Sequence, residues 1–262
     1  MEHLVVALAA LFASTLTLFS GFGLGTLLMP VFALFFPVEL AVAATALVHG
    51  ANGALKVALL GRAVAWPVAL RFGLPALLAA LAGAWLLGAF ADLAPWATWT
   101  LGGRAHAVTP IKVTMGALMV AFAAIELHPR FERLALPARL LPVGGALSGF
   151  FGGLSGHQGA LRAAFLAKCD LTPAAFVATS AVLGLTVDVA RLATYGATLP
   201  AGVASALGEA HTLSVVAVGV VAAFAGVVLG KRLLGKVTMR AVQRLTGVML
   251  VLLGLLLGAG VL

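Results

Sequence analysis

The stretch from residue 3 to residue 36 contains no Asp, Glu, Lys or Arg, yet it cannot be one membrane-crossing helix. At 1.5 Å per residue such a helix would be about 51 Å long, against a hydrocarbon core of roughly 30 Å. The segment must tilt steeply, protrude or fold back. Gly21, Gly23 and Gly25 crowd its middle and weaken a helix there, and Pro37 closes the run just before another apolar segment. A second stretch, 140–168, carries Gly152, Gly153, Gly156 and Gly159 at the corresponding place. Each stretch therefore predicts two half-helices joined by a non-helical tip.

The two stretches are copies. Ser20-Gly21-Phe22-Gly23-Leu24-Gly25-Thr26 leads to Ala44-Thr45-Ala46, and Gly153-Leu154-Ser155-Gly156-His157-Gln158-Gly159 leads to Ala178-Thr179-Ser180. Gly25 with Gly159 and Thr45 with Thr179 share a single offset of 134 residues. An internal repeat built on interrupted hydrophobic segments points to a membrane carrier. Apolar runs fall at 3–36, 39–60, 66–90, 108–126, 140–168, 172–194, 207–230 and 241–262, four in each half. With 63% hydrophobic and 9% charged residues the chain has too little polar surface for water. The fold class expected is an all-α polytopic membrane protein of two homologous halves, 1–127 and 140–262, joined by a basic linker at 128–139. The first segment of each half is a broken helix or a re-entrant hairpin.

The net charge of +8 sits mainly at segment ends, where it sets topology rather than binding nucleic acid. Two topologies compete. If both broken segments re-enter, one face collects Arg62, Arg130, Arg133, Arg139, Lys168, Lys231, Arg232, Lys236 and Arg240, and the other holds little beyond Arg104 and Lys112. If both cross, the bias nearly vanishes. The asymmetry favours two hairpins and six crossings, with loops 61–65, 127–139 and 231–240 cytoplasmic. Three crossings plus a hairpin is an odd unit, so the second half is inverted relative to the first, and the two tips enter from opposite faces to meet near the midplane. Leu4 to Phe12 resembles the core of a signal peptide, but no basic residue precedes it and Glu2 has the wrong sign, so it is read as part of the membrane fold. Cys169 is the only cysteine, which excludes an intrachain disulfide and a thiolate metal cluster built from one chain.

Non-helical backbone in the bilayer leaves N–H and C=O groups that protein, water or a ligand must satisfy. The outgoing half-helices start near Thr26 and Ala160, so their positive ends point into the tips and favour an anion. Gly23, Gly25, Gly156 and Gly159 let it approach the backbone, while Thr26 and Gln158 add side-chain donors. Arg162 lies just past the second tip inside an apolar run, where it needs a counter-charge, an anionic ligand or an escape to the interface. His157 is read equally as a structural residue, a ligand contact or a proton carrier. In the next segment Thr45, His49, Asn52 and Lys56 share one helical face. Its second copy carries Thr179, Ser180, Thr186, Asp188 and Arg191, of which Asp188 and Arg191 can pair on one helix, although Lys56 and Arg191 lie near segment ends and are expected to snorkel to the interface. Interhelical hydrogen bonding accounts for such a polar stripe as well as a substrate pathway does.

With these motifs assembled, the chain resembles the TauE/SafE family of membrane transporters, also called the 4-toluene sulfonate uptake permease family. Its two glycine-rich motifs, each followed some twenty residues on by an A-T-S-like triplet, match Gly21 to Gly25 with Ala44-Thr45-Ala46, and Gly153 to Gly159 with Ala178-Thr179-Ser180. Echoes at Ala82-Gly83 and Ala225-Gly226, and at Gly116 and Gly247, extend the resemblance over nearly the whole chain. The second copy departs from the pattern in having His157 and Gln158 for glycines, and Ala164 where the first half has Pro30. The resemblance implies secondary transport of a sulfur-containing anion, sulfite or an organosulfonate, across the prokaryotic inner membrane. No G-x-x-x-x-G-K-[ST] loop is present, so gradient coupling is expected, with His49, His157, Asp188 and Glu209 as titratable candidates. The expected partners are a small anion and membrane lipid, with no cofactor and no metal. A homodimer is one oligomeric state the sequence allows. Two other readings are an anion channel and, from the G-x-S-G pattern at Gly153 to Gly156, a rhomboid-like serine protease using Ser155 with His211.

Overall fold

The computed structural model describes residues 1–17, 24–128, 136–233 and 239–262, and most of these are helical. The helices in chain order are α1 (Glu2–Thr17), α2 (Leu24–Ala33), α3 (Val38–Leu60) and α4 (Trp66–Ala91), then α5 (Pro110–Leu127), α6 (Leu141–Ser155) and α7 (Gly159–Leu166). They continue with α8 (Pro173–Thr198), the short α9 (Ala201–Gly208), α10 (Ala210–Leu233) and α11 (Met239–Gly258). Segments 38–63, 66–91, 173–198 and 210–230 are long and apolar enough to span a bilayer, and shorter apolar helices account for the rest. The chain is a multi-pass membrane protein.

Local signals explain where the helices start. Thr109 and Thr172 each precede a proline and accept a hydrogen bond from the amide three residues on, at 3.3 Å from Lys112 and 3.2 Å from Ala175. A threonine N-cap followed by proline at the first helical position satisfies one orphan amide and removes another. Helix α6 ends at Gly156, whose φ of +81° is the left-handed conformation that closes a helix and that glycine adopts without strain.

Both interrupted segments fold back on themselves. A methyl group built on Gly144, early in α6, would stand 2.4 Å from the ring of Phe165, late in α7. The Leu136 amide donates to the Ala164 carbonyl at 3.2 Å. Helices α6 and α7 are thus antiparallel arms around a turn at 156–158. In the first half, His3 at the start of α1 and Phe36 just past α2 both lie against His211, with ring centroids 5.7 and 6.4 Å away. Helix α1 therefore begins at the end of the bundle where α2 finishes. The tip between them falls at 18–23, outside the described residues, and so does Gly23.

Further contacts sort the remaining loops by end. Trp99 Nε1 donates to the Ala259 carbonyl at 2.8 Å, and Gly88 at the end of α4 abuts Thr198 at the end of α8. At the opposite end the Ala65 amide donates to Thr179 Oγ1 at 3.0 Å. The linker between α4 and α5 holds an element that the apolar runs do not predict, an antiparallel hairpin of β1 (Ala97–Leu101) and β2 (Arg104–Val108). Gly102 and Gly103 both have positive φ, as a tight two-residue turn between twisted strands requires.

The arms of the hairpins pack against helices by backbone contact. Methyl groups built on Gly145, Gly149 and Gly153 of α6 would stand 2.0, 2.1 and 2.1 Å from the carbonyl oxygens of Phe72, Ala76 and Ala80 of α4. Gly83 faces the Phe150 carbonyl in return, at 2.1 Å. Small residues four apart on both helices allow this approach, which in lipid replaces the hydrophobic effect as the source of association. Helices α1 and α10 meet similarly at Gly226, and α5 meets α11 at Gly116 and Gly254. Val6, Ala10, Leu28 and Phe32 pack with Val48, Val215 and Ala223 in one core. Leu141, Phe165 and Leu166 pack with Phe72, Ala76, Leu183 and Val187 in another.

Candidate functional site

Helices α3 and α8 cross where glycines remove side chains. A methyl on Gly50 would lie 3.4 Å from Asp188 Cβ, and one on Gly53 would lie 3.6 Å from Leu185 Cβ. At this crossing Asp188 is fully buried and holds three contacts. Its Oδ2 stands 2.5 Å from His49 Nδ1, across the crossing from α3. Its Oδ1 accepts from Arg191 Nε at 3.0 Å, with Arg191 Nη2 2.8 Å away. The Asp188–Arg191 pair is one that their spacing allows, and Arg191, fully buried on Asp188, does not snorkel to the interface as its place near the segment end suggests; the bond to His49 is not visible in any local pattern.

The pair leads directly to the glycine breaks. Arg191 Nη1 would lie 2.9 Å from a methyl on Gly156. A methyl on Gly25 would stand 3.5 Å from the Gly156 carbonyl oxygen, 3.6 Å from Thr45 Cγ2 and 3.7 Å from His49 Cδ2. Gly25, Gly156, Arg191, Asp188 and His49 therefore form a closed circuit of neighbours, and the start of α2 lies against the break between α6 and α7. Arg162 joins from α7. Its Nη1 donates to Gln158 Oε1 at 3.3 Å and would approach a methyl on Gly184 to 3.1 Å, beside His49 Cε1 at 3.2 Å.

Backbone and side chains fix the second break. Ser148 Oγ donates to the Gln158 carbonyl at 3.0 Å, and the Tyr195 hydroxyl donates to the Gly153 carbonyl. His157 Nδ1 is 3.0 Å from Ser155 Oγ, and its ring stacks on Phe122, 14° from parallel at a centroid distance of 5.4 Å. Several buried polar atoms in and around this region have no hydrogen-bond partner among the described residues: Arg162 Nε, Arg191 Nη1, Gln158 Nε2, His157 Nε2 and Ser180 Oγ. Leaving such groups without a partner costs about 1–3 kcal/mol each and more when they are charged. Two guanidinium groups and a carboxamide with unused N–H bonds are what an oxyanion would satisfy.

Several other residues singled out by the sequence have protein partners. Thr45 Oγ1 donates to the Ala41 carbonyl at 2.7 Å and presents only its methyl group to Gly25. Asn52 Oδ1 accepts from Ser14 at 3.4 Å, which ties α3 to α1. Thr179 is engaged by the Ala65 amide, as described above. Thr26 is buried on α2, Gly159 opens α7, and Lys56 is half-buried toward the end of α3. His211 lies 2.7 Å from Glu2 and is exposed, whereas Ser155 is buried against Phe151 and His157. The serine and histidine of the protease reading are therefore not assembled. Ser148, Gly184, Phe122 and Tyr195 are not apparent from sequence, although Tyr195 continues the Asp188–Arg191 face at the next helical turn.

Comparison with known proteins agrees with the assembled motifs. Searches of curated proteins and of solved structures returned no match. The family model described as sulfite exporter TauE/SafE matches residues 6–257, nearly the whole chain. Two glycine-interrupted segments, brought together in a bundle of apolar helices, thus accompany a match across both halves, and the chain belongs to the TauE/SafE sulfite exporter family of membrane transporters.

Proposed function

We propose that this protein is a secondary transporter that carries a small sulfur-containing anion, sulfite or an organosulfonate, across the inner membrane. The anion binds where Gly25 and Thr26 at the start of α2 approach the break at Gly156, His157, Gln158 and Gly159. The observation that carries this reading is the set of buried, unpartnered donors on Arg162, Arg191 and Gln158. Among the described residues, the buried Arg162 and Arg191 and the half-buried Lys56 outnumber the buried Asp188 in charge, so the region is net positive and favours an anion. His49 and Asp188 are the groups through which a proton gradient acts, because their bond joins α3 to α8 beside the anion.

The halves 1–127 and 140–262 are inverted copies joined by 128–139. Packing supports this: α4 lies on α6 as α10 lies on α1, and α3 pairs with α8 and α5 with α11, the pattern that exchanging two halves reproduces. Alternating access then moves helices around a site that both halves build. Loops 61–65, 127–139 and 231–240 face the cytoplasm, because the basic residues of the sequence gather in them. Cys169 tests the orientation. An impermeant maleimide should label it in inside-out vesicles and not in right-side-out ones. Burial, with the neighbouring Asp170 carboxylate, holds the thiol above its ordinary range, so labelling should accelerate as the pH rises into the alkaline range. Labelling from the outside would reverse the assignment.

Counterflow in proteoliposomes loaded with sulfite, sulfate or methanesulfonate tests the activity. A carrier saturates and exchanges, whereas a pore does neither. Arg162→Ala removes a charge-assisted donor and should weaken anion binding about tenfold or more. Gly25→Leu should abolish transport by filling the gap to Gly156. Absence of saturable exchange with every sulfur oxyanion would refute the reading.

A further inference from the structure

The second break carries a histidine where its partner copy has Gly23, and the hydrogen bonds around His157 determine which ring nitrogen holds the proton. Ser155 has one hydroxyl hydrogen, and it goes to the Phe151 carbonyl oxygen 3.0 Å away. Toward His157 the same hydroxyl must therefore accept, so the hydrogen sits on Nδ1, 3.0 Å from Ser155 Oγ. In the neutral imidazole this leaves Nε2 as a bare lone pair. Nε2 is buried and has no partner among the described residues, and the ring is held flat against Phe122. The chain neighbours of His157 are both in the donor cluster. Gly156 packs on Arg191 Nη1, and Gln158 bonds Arg162.

A region of N–H donors with one buried acceptor differs from one of donors alone. Building on the anion reading above, we infer that His157 Nε2 accepts a hydrogen bond from the ligand, so that the site selects a singly charged oxyanion still carrying one O–H. For sulfur(IV) this is hydrogensulfite in its HO–SO2⁻ form rather than the sulfite dianion. A ligand without the proton would set an oxygen lone pair against the Nε2 lone pair, a mismatch that buried polar sites reject strongly.

Two anions of equal charge and closely similar shape isolate that proton: hydrogen methylphosphonate, with one P–OH, and methanesulfonate, with none. Their competition with sulfite for binding to the purified full-length protein, in mildly acidic buffer, reads the preference directly. The wild type should favour hydrogen methylphosphonate by about tenfold or more, the effect of one well-placed buried hydrogen bond. His157→Phe keeps a ring on Phe122 and should bring the ratio to unity or invert it. Ser155→Ala removes only the hydroxyl that holds the tautomer, and should narrow the ratio because the ring can then turn an N–H toward the ligand. A wild type that binds methanesulfonate as well or better, or a preference that survives His157→Phe, overturns the inference while sulfite exchange stands. Failure of sulfite itself to bind the wild type would overturn the anion reading together with it.

Discussion

Asp188→Asn is expected to abolish transport and to lower the stability of the detergent-solubilised protein by about 3–5 kcal/mol, the usual effect of removing one partner from a buried ionic cluster. The carboxylate is fully buried and, among the described residues, is the one acidic group in contact with both His49 and Arg191. Asparagine preserves its shape but leaves the Arg191 guanidinium charged and uncompensated beside the Gly156 break. The bond from His49 to Asp188 also crosses from α3 to α8, so the substitution loosens the helix pair as well as the charge balance. Thermal unfolding followed by tryptophan fluorescence or by aggregation should show the loss. The double variant Asp188→Asn with Arg191→Gln removes both charges and should recover much of the stability without recovering transport, since contacting residues do not act additively. A single variant that melts with the wild type would mean that these three side chains do not hold the crossing together.

Gly149→Val should be comparably severe for a different reason. A first carbon at this position already lies 2.1 Å from the Ala76 carbonyl oxygen and 2.6 Å from Ala76 Cα. Backbone cannot rotate aside as a side chain can, so α4 and α6 must separate by more than an ångström. The separation also unseats Gly145 and Gly153, which make the same approach one turn away on either side. Overpacking alone costs about 1–3 kcal/mol, and here the loss of contact along two helices adds to it. The expected result is a poorly folded protein with low yield in the membrane. Gly196→Ala, in a helix with open space around it, is the matched control and should be neutral or slightly stabilising. Equal effects of the two substitutions would mean that the α4–α6 contact is not made.

The large features were legible because they are local. A charge-free stretch too long for one crossing, a glycine cluster inside it and a proline after it foretell a broken helix from covalent geometry alone. Thr109-Pro110 and Thr172-Pro173 mark helix starts for the same reason. The strand pair is a different case, because Gly102-Gly103 between Thr98-Trp99-Thr100 and His106 is a readable turn that the apolar pattern overshadows. The site was half legible. Spacing brings Asp188 to Arg191, but His49 is 139 residues from Asp188 in sequence, and only the crossing of α3 with α8 makes them neighbours. Nor does composition distinguish a glycine that ends a helix, such as Gly156, from one that admits a neighbouring backbone, such as Gly149. Both lie in one glycine-rich stretch, and what separates them is the positive φ of the first and the Ala76 carbonyl against the second.

The backbone contact between α4 and α6, with its counterpart between α1 and α10, has a bearing on how such a bundle can rearrange. Each joins a hairpin encoded in one half of the gene product to a long helix encoded in the other. Sliding residues 1–127 as a block past 140–262 would shear both seams at once. A displacement that kept both seams intact would instead carry α4 with α6, and α10 with α1, across the boundary between residues 1–127 and 140–262.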